Sequence, residues 1–468
     1  VEIEGWKTLQ AACATPVSPG MEIRTYSDKV RRARRTILEL MLSNHYGYCW
    51  TCARNQNCEL QKLAAEYGID KPLRFEPVKE PRWEIEDSSP SVVRDKNKCI
   101  LCKRCIRTCI DLQQVGVIEA RGRGHDTDVV TLFDKPLAHV NCIYCGQCIN
   151  RCPTGALKAN DPADEVWKAI DDPNKFVVAH PAPSIRVSIG ECFGMEPGHR
   201  VTGKLVTALK KAGFDSVLDT NFTADLTIIE EGTEFLHRVT AAVKDKDPNV
   251  KLPMVTSCSP GWIKYCEHFY PDLLGHLSTC KSPQQMFGAV AKTYFAKKMN
   301  IDPKNMVTVA IMPCSAKKFE ANRPEMNDSG FKDVDYGLTT RETALMIKES
   351  GIDFLKLEET EFDRFMGESS GAADIFGATG GVMEAALRTV YFLITGRNVP
   401  FENLQIFPVR GMEGVKEASI KLENLKKEYS FLEGVEVKIA VAHGTANAKK
   451  VMDLVRSGEA GYHFIEIM

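Results

Sequence analysis

The chain of 468 residues carries 60 lysine and arginine side chains against 62 aspartate and glutamate side chains, so its net charge is close to zero. This balance excludes a strong electrostatic field for nucleic acid or for an anionic membrane surface, and no apolar run reaches the roughly 18 residues of a membrane helix. The hydrophobic fraction of 44% is that of an ordinary soluble globular protein, and the length allows about three domains.

Cysteines dominate the first third of the chain. Of 17 cysteines, 11 fall between Cys49 and Cys152, mostly with two or three residues between neighbours. A secreted disulfide scaffold would be shorter and more widely spaced. Cysteines two residues apart can instead turn their thiolates toward one metal centre. We therefore expect metal-cluster chemistry in a reducing, anaerobic cytoplasm. No signal peptide is visible, although the chain starts at Val1 rather than with methionine.

Two segments precede the cysteine-rich region, and only the second predicts a structural element. GWKTLQAACATPVSPGM contains the solitary Cys13, which alone predicts nothing. YSDKVRRARRTILELML, residues 26–42, predicts an amphipathic helix capped near Ser27 or Asp28, whose basic residues form a solvated face. This helix would deliver His45 at its end.

One imidazole and three thiols follow in the short stretch HYGYCWTCARNQNC. The four candidate ligands are His45, Cys49, Cys52 and Cys58. By ligand type alone they suit a zinc ion as well as a cluster. The pattern resembles the histidine-ligated 4Fe–4S module of the large peripheral-arm subunit of respiratory complex I and of the long di-iron (FeFe) hydrogenases.

Two four-cysteine runs carry the strongest signal in the chain. Each has the spacing C-x2-C-x2-C-x3-C, and a proline follows the second run. This is the pattern of two-cluster bacterial ferredoxins, in which the fourth cysteine of each run ligates the other cluster. Zinc would not need two copies of a four-cysteine run. We assign one 4Fe–4S cluster to Cys99, Cys102, Cys105 and Cys152, and the second to Cys109, Cys142, Cys145 and Cys148.

From about residue 175 apolar strands alternate with helical segments. Such alternation predicts α/β layers with mostly parallel sheets, in which chemistry collects on loops at the carboxyl ends of strands. Cys258 and Cys314 follow closely on apolar runs, where such loops are expected. The predicted strands are 176–180, 306–312, 437–443 and 462–468, and the predicted helices include TGKLVTALKKAG and ANAKKVMDLVRSG, the latter ended by Gly458.

Three stretches of this half resemble the FeFe hydrogenases. PMVTSCSPGW and IMPCSAKKFE are similar to the first two signature motifs of that family, and FGATGGVMEAALRT to the glycine-rich helix that follows them. The resemblance covers nearly the whole chain. It implies an H-cluster, in which a cysteine-held 4Fe–4S cubane joins a di-iron unit with CO, cyanide and a bridging amine-dithiolate. The implied reaction interconverts dihydrogen with protons and electrons.

The resemblance also implies roles for individual residues around that cluster. Cys314 matches the cysteine that ligates the cubane and bridges to the di-iron unit, and Lys317 the lysine that donates to a cyanide. Cys13 matches the last ligand of a plant-type 2Fe–2S domain, whose other three ligands would precede Val1. Further residues implied to line the pocket are Ala182, Pro183, Ser184, Gln284, Met312, Glu320 and Met468.

Splitting dihydrogen needs a route for protons, which in this family runs from a thiol through a glutamate, a serine and a second glutamate. LTIIEEGTEF supplies Glu231 and Glu234, which share one face if the segment is helical. LSTCKSP supplies Ser278. Helix glutamates are usually only solvated, so the family order around the two cysteine motifs carries this assignment.

Two departures from the family pattern affect the cluster. The opening motif usually reads T-S-C-C-P, so Cys258 matches the proton-relay thiol while Ser259 occupies a cubane-ligand position. Either Cys258 shifts to ligate the cubane and Ser259 carries protons, or the cubane is serine-ligated or defective. The chain also stops at Met468, just before two further cubane cysteines of the third motif would come, so we expect the natural protein to continue and this chain, as given, not to hold a complete H-cluster. Cys192, Cys266 and Cys280 are most simply buried thiols.

We thus expect an α/β catalytic domain preceded by small α+β iron–sulfur domains. The domain boundaries are 1–25 for the 2Fe–2S remnant, 26–85 for the histidine-ligated domain, 90–160 for the two-cluster domain and 175–468 for the H-cluster domain. The expected partners are ferredoxin and the flavoprotein and 2Fe–2S subunits of an NAD(P)-linked, electron-bifurcating complex, with no nucleic acid and no membrane. The alternative is an electron-transfer or sensory subunit whose hydrogenase domain has lost catalysis.

Overall fold

The structure is a computed structural model that describes residues 1–69, 74–400, 407–409 and 412–468. Its amino-terminal part is built from short helices and three two-stranded antiparallel pairs, β1 with β2, β3 with β6 and β4 with β5. The elements are β1 (Glu2–Ile3), β2 (Ile23–Arg24), α1 (Asp28–Asn44), α2 (Glu59–Glu66), β3 (Val92–Arg94), α3 (Arg104–Arg107), β4 (Ile118–Arg121), β5 (Asp128–Thr131), α4 (Gln147–Arg151) and β6 (Leu157–Ala159).

The predicted first helix is confirmed. Ser27 accepts a hydrogen bond from the backbone N–H of Val30, which satisfies one of the unpaired donors at the start of α1. Its four arginines, at positions 31, 32, 34 and 35, are exposed. His45 is the residue that ends the helix, so α1 positions the imidazole as expected.

The carboxy-terminal part holds two sheets with helices around them. Two strands of each sheet match apolar runs that the sequence predicted as strands. The elements are α5 (Ala163–Asp171), β7 (Phe176–Pro181), α6 (Ile185–Ser188), α7 (Thr202–Lys211), β8 (Ser216–Val217), α8 (Thr220–Thr240), β9 (Met254–Val255), α9 (Pro260–Phe269), α10 (Pro283–Val290), α11 (Ala296–Met299), β10 (Met306–Met312), α12 (Ala316–Ala321), β11 (Tyr336–Thr339), α13 (Thr340–Glu349), α14 (Gly371–Asp374), α15 (Gly381–Thr395), β12 (Phe407–Pro408), β13 (Val415–Lys421), β14 (Glu436–Ala442), α16 (Thr445–Ser457) and β15 (Phe464–Ile467).

The first sheet has four parallel strands in the order β11-β10-β7-β8. All seven residues of β10 are buried, because helices cover both faces of a parallel sheet. The second sheet has the order β12-β13-β14-β15-β9 and is mixed. Its strands β14, β15 and β9 run parallel, whereas β13 is antiparallel to both of its neighbours. The prediction of mostly parallel sheets is thus confirmed. It did not include the antiparallel edge that β12 and β13 form in the second sheet.

Hydrophobic cores cover both faces of the second sheet. Successive residues of β15, Phe464 and Ile465, belong to different cores, since side chains alternate across a strand. The Phe464 core contains residues of α8 and α15, and the Ile465 core contains residues of α9 and α16. This arrangement holds α8 and α9, which carry candidate site residues, on opposite faces of one sheet. Within the described residues no helix is long and apolar enough to cross a bilayer.

Candidate active site and cluster-binding sites

The candidate pocket lies at the carboxyl ends of strands from both sheets. Strand β10 ends two residues before Cys314, and β9 ends three residues before Cys258. The two motif cysteines are therefore placed on loops at strand ends, as the sequence predicted. Helix α12 begins two residues after Cys314, and Lys317 and Glu320 lie about one turn apart on it.

A hydrogen-bond network ties these loops together. The ammonium of Lys317 donates to the carbonyl oxygen of Cys258 at 2.8 Å and to Oε2 of Glu320 at 2.9 Å. Ser282 Oγ and Gln284 Nε2 donate to the same Glu320 oxygen at 2.8 and 3.0 Å. Gln284 Oε1 is buried without a hydrogen-bond partner within the described residues. Because a buried acceptor without a partner is costly, this pocket fits a polar ligand.

Burial sets the state of the two thiols. Burial and the nearby Glu231 charge, partly opposed by Lys317, raise the pKa of Cys258 to about 12. Burial also raises the pKa of Cys314, which the backbone N–H of Ala316 and the charge of Lys317 partly oppose. Both sulfurs are thus protonated near neutral pH, and ligation of a metal would have to displace the proton.

The predicted proton relay is brought together on α8 and the loop after α9. Ser278 Oγ donates to Glu234 Oε2 at 2.8 Å, and Arg238 Nη2 donates to Glu234 Oε1 at 2.6 Å. Glu231 is 1% exposed and lies one turn before Glu234. Its Oε2 is buried without a partner in the described part of the chain.

The environments of these two carboxyls move their pKa values apart. Burial raises the pKa of Glu231 to about 7, and the charges of Glu234 and Glu466 add to the shift. For Glu234 burial would also raise the pKa, but the Ser278 hydrogen bond and the Arg238 charge hold it below its ordinary value. Two carboxyls with separated pKa values can pass a proton in steps.

Three residues of this site were not predicted from the sequence. Arg238 follows Glu234 by four residues, a helix spacing that could have indicated the ion pair. Glu466 is fully buried and accepts from the backbone N–H groups of Gly380 and Met383 at 2.8 and 2.7 Å, so it caps α15 from another element. Burial raises the pKa of Glu466 to about 7.

The third is Cys280, which was expected to be a buried thiol with no role in the site. Cys192 and Cys280 are half-buried, whereas Cys266 is buried on α9 as expected. The thiol of Cys280 lies 3.5 Å from Glu234 Oε2. No spacing rule in the sequence connects these two residues, because their contact joins a helix to a distant loop.

The remaining predicted residues lie at or near the ends of the same strands. Ala182 is buried and donates its N–H to Ile311 beside Met312. Ser259 is the N-cap residue of α9, and its side chain makes no capping hydrogen bond. Pro183 and Ser184 come two and three residues after the end of β7. Met468 directly follows β15 and packs on the same core as Cys258.

The two four-cysteine runs form two adjoining thiol groups. Cys99, Cys102, Cys105 and Cys152 line one cavity. Burial raises the pKa of Cys105 to about 12, and the other three thiols of this cavity add to the shift. Burial likewise raises the pKa of Cys148, with contributions from Cys145, Cys142, Cys105 and Cys109. Cys152, the fourth cysteine of the second run, thus lies with the first three cysteines of the first run, as the ferredoxin pattern predicts. Cluster ligation by these residues stays a prediction.

The histidine and three cysteines upstream line a cavity of about 460 Å³. His45 Nδ1 is buried without a partner among the described residues, and burial and the Lys98 charge lower the pKa of His45. A neutral imidazole with a free nitrogen fits a metal ligand. Within the described residues no three histidine, cysteine or acidic side chains converge as they would on a single ion.

Glycines allow close approach between the candidate cluster sites. A Cβ on Gly155 would clash with Cys52 Sγ of the histidine site, and Gly155 lies three residues after Cys152. At the other end, a Cβ on Gly146 would clash with Ser315 Oγ, next to Cys314. Cys145 is close enough to Cys314 for the charges of these thiols to interact. The candidate sites thus form a continuous series from His45 to Cys314.

Three family models match the chain, and together they cover most of it. Residues 175–468 match the iron only hydrogenase large subunit, C-terminal domain. Residues 34–72 match the NADH-ubiquinone oxidoreductase-G iron-sulfur binding region, and residues 89–158 the NADH-quinone oxidoreductase subunit 3, ferredoxin-like domain. Iron–sulfur binding regions therefore precede a hydrogenase domain.

Named relatives agree with these matches. The chain is 46% identical over its full length to the NADP-reducing hydrogenase subunit HndD of Solidesulfovibrio fructosivorans, covering 77% of that protein. It is 42% identical over its full length to iron hydrogenase 1 of Clostridium pasteurianum, covering 78%. Among solved structures, a variant of the FeFe-hydrogenase HydA1 from Chlamydomonas reinhardtii is 41% identical with a TM-score of 0.59, over 66% of this chain and 81% of that one.

Proposed function

Because the chain belongs to the iron-only (FeFe) hydrogenase large-subunit family, we propose that it oxidises dihydrogen reversibly to protons and electrons at an H-cluster beside Cys314. The observation that carries this proposal is the Lys317 ammonium, held by Glu320 and by the carbonyl of Cys258 next to two buried thiols. A chain that only conducts electrons needs no such arrangement.

The residues present fit the part of that group's pocket around Cys314. Cys314 would hold it, and Lys317 and the unpaired Gln284 Oε1 would provide polar contacts. When bound, the H-cluster supplies iron that takes up dihydrogen and an amine that accepts a proton from it. The surrounding side chains are largely buried, which strengthens the effect of the Lys317 charge.

The chain's own residues provide the route for protons. We assign Cys258 as the first carrier, because its buried thiol stays protonated and lies near the Glu231 carboxyl. Glu231 holds the proton next and passes it through Ser278 Oγ to Glu234 Oε2. The charge of Arg238 keeps Glu234 anionic and able to accept. If Cys258 ligates the cubane instead, Ser259 takes the first position in this route.

The electrons would travel from the site of Cys314 through the cysteine groups of the amino-terminal part. Cys314 leads to the group with Cys145, this group adjoins the one with Cys105, and Gly155 brings the latter against the histidine site. We propose three 4Fe–4S clusters at these sites and a 2Fe–2S cluster at Cys13 in the complete protein. The proposed acceptors are a ferredoxin and the flavoprotein and 2Fe–2S subunits of an NAD(P)-linked complex, in the reducing cytoplasm. The similarity to a subunit of an NADP-reducing hydrogenase supports the multisubunit form.

The test is dihydrogen uptake by the full-length protein after maturation, with an artificial electron acceptor. Infrared bands of CO and cyanide should accompany turnover. Neither bands nor turnover after verified maturation would refute the proposal and leave an electron-transfer protein, the alternative that Ser259 favours.

Replacing Gly146 by alanine should slow electron transfer out of the active site. The new methyl group would clash with Ser315 Oγ, and Gly146 has φ +69°, a conformation that costs other residues about 1–2 kcal/mol. We expect the loop that carries Cys145 to move away from Cys314. The measurement is the rate at which dihydrogen reduces the ferredoxin-type clusters, followed by electron paramagnetic resonance after rapid freezing.

Gly330→Ala is the matched control, because Gly330 has φ +84° and open space around its Cβ position. It carries the backbone strain without the clash. Equal rates in the two variants would show that the Gly146 contact does not serve electron transfer.

A further inference from the structure

The thiol of Cys280 and the hydroxyl of Ser278 contact the same carboxylate oxygen. Ser278 Oγ lies 2.8 Å from Glu234 Oε2, and Cys280 Sγ lies 3.5 Å from it, within the longer range of a sulfur hydrogen bond. Both groups can donate a proton, whereas an ionised carboxylate only accepts. Glu234 thus has two proton donors at one atom.

Local hydrogen bonds hold the thiol in this position. The backbone N–H of Thr279 donates to both oxygens of Glu234, at 3.2 and 3.0 Å. The N–H of Cys280 donates to Ser278 Oγ at 3.2 Å, and its carbonyl accepts from Ser257 Oγ at 2.8 Å. Ser257 directly precedes Cys258. The loop that carries Cys280 is therefore held by hydrogen bonds to Glu234 on one side and to Ser257, beside Cys258, on the other.

We propose that Cys280 is a second proton-relay position, parallel to Ser278, between Glu231 and Glu234. In dihydrogen oxidation the S–H bond of Cys280 breaks as its proton passes to Glu234 Oε2, and the sulfur regains a proton from the neutral carboxyl of Glu231. One proton enters and one leaves, so the thiol is unchanged and no electron moves. Burial raises the pKa of Cys280 to about 12 and the charges of Glu234 and Glu231 contribute, so both carboxyls lie within electrostatic range of this thiol. This inference rests on the proposed hydrogenase function.

The proposal predicts a non-additive pair of substitutions. With Cys280 present, Ser278→Ala should lose less than about tenfold in uptake rate, because the thiol still carries protons. Ser278→Ala combined with Cys280→Ala should lose about 10²–10⁴-fold, the usual contribution of a proton-transfer group. Ser278→Ala combined with Cys280→Ser should restore the rate of the single variant.

The control is Ser278→Ala combined with Cys192→Ala, which removes another half-buried thiol packed on the first sheet's core. It should match the single Ser278 variant. If Ser278→Ala alone already equals the double variant with Cys280→Ala while the wild type turns over, the proposal is overturned. If the wild type itself shows no uptake after maturation, the proposed function has failed instead.

A second readout needs no turnover. The infrared S–H stretch of Cys280, isolated as the difference between wild type and Cys280→Ala, should be shifted by its hydrogen bond to Glu234. Glu234→Gln should reduce that shift, because an amide oxygen is a weaker acceptor than a carboxylate. An S–H band that does not respond to Glu234→Gln would exclude the contact on which the proposal depends.

Discussion

Replacing Cys314 by alanine is expected to lower dihydrogen uptake more than about 100-fold. Residues that only orient a metal ligand are already worth about 10- to 100-fold, and Cys314 is proposed as the ligand itself. Its loop is held by the end of β10 on one side and by α12 on the other, so the backbone should keep its place. The CO and cyanide bands should disappear together with the activity.

The measurement must separate loss of the active centre from loss of the whole fold. The iron–sulfur signals of the ferredoxin-type and histidine-ligated sites should persist in electron paramagnetic resonance spectra, since none of their proposed ligands is changed. Cys266→Ala is a suitable control, because Cys266 is buried on α9 and its thiol contacts the Tyr270 carbonyl. Uptake equal to wild type in Cys314→Ala would exclude the assignment of this cysteine.

Local signals in the sequence predicted those parts of the fold that depend on neighbouring residues. Strand β10 was predicted with its observed ends because a run in which six of seven residues are apolar suits a strand buried on both faces. Gly458 ends α16 in the left-handed conformation, as the glycine signal indicated. Motif spacing likewise placed Cys258 and Cys314 at strand ends.

Features that depend on distant residues could not be predicted in this way. The antiparallel pairing of β13 with β14 leaves the same apolar pattern as a parallel pair, so the pattern did not distinguish them. Glu466 reads as one polar residue in a strand, yet it caps a helix that starts 85 residues earlier in the chain, at Gly381. Burying its carboxylate is tolerable only because two backbone N–H groups meet it there. Cys280 is a similar case, since only the fold brings it to Glu234.

Replacing Glu231 by glutamine is expected to slow dihydrogen uptake by about 10²–10⁴-fold, because an amide cannot accept and release the proton. Glutamine keeps the size of the side chain, which is fully enclosed on α8. Glu230→Gln is the matched control, since this adjacent side chain is exposed. Its uptake rate should remain close to that of the wild type.

The pH dependence identifies the carboxyl more specifically than the rate alone. Burial raises the pKa of Glu231 to about 7, so the group is neutral below that pH and anionic above it. Dihydrogen oxidation needs the anion as acceptor, and its rate should therefore rise as the pH increases through about 7. Dihydrogen evolution needs the neutral acid as donor and should fall over the same range. Both dependences should be measured across about pH 5–9 and should be lost in Glu231→Gln. A profile that is unchanged in this variant would assign the titration to another group, and Glu466, whose pKa burial also raises to about 7, would be the next carboxyl to replace.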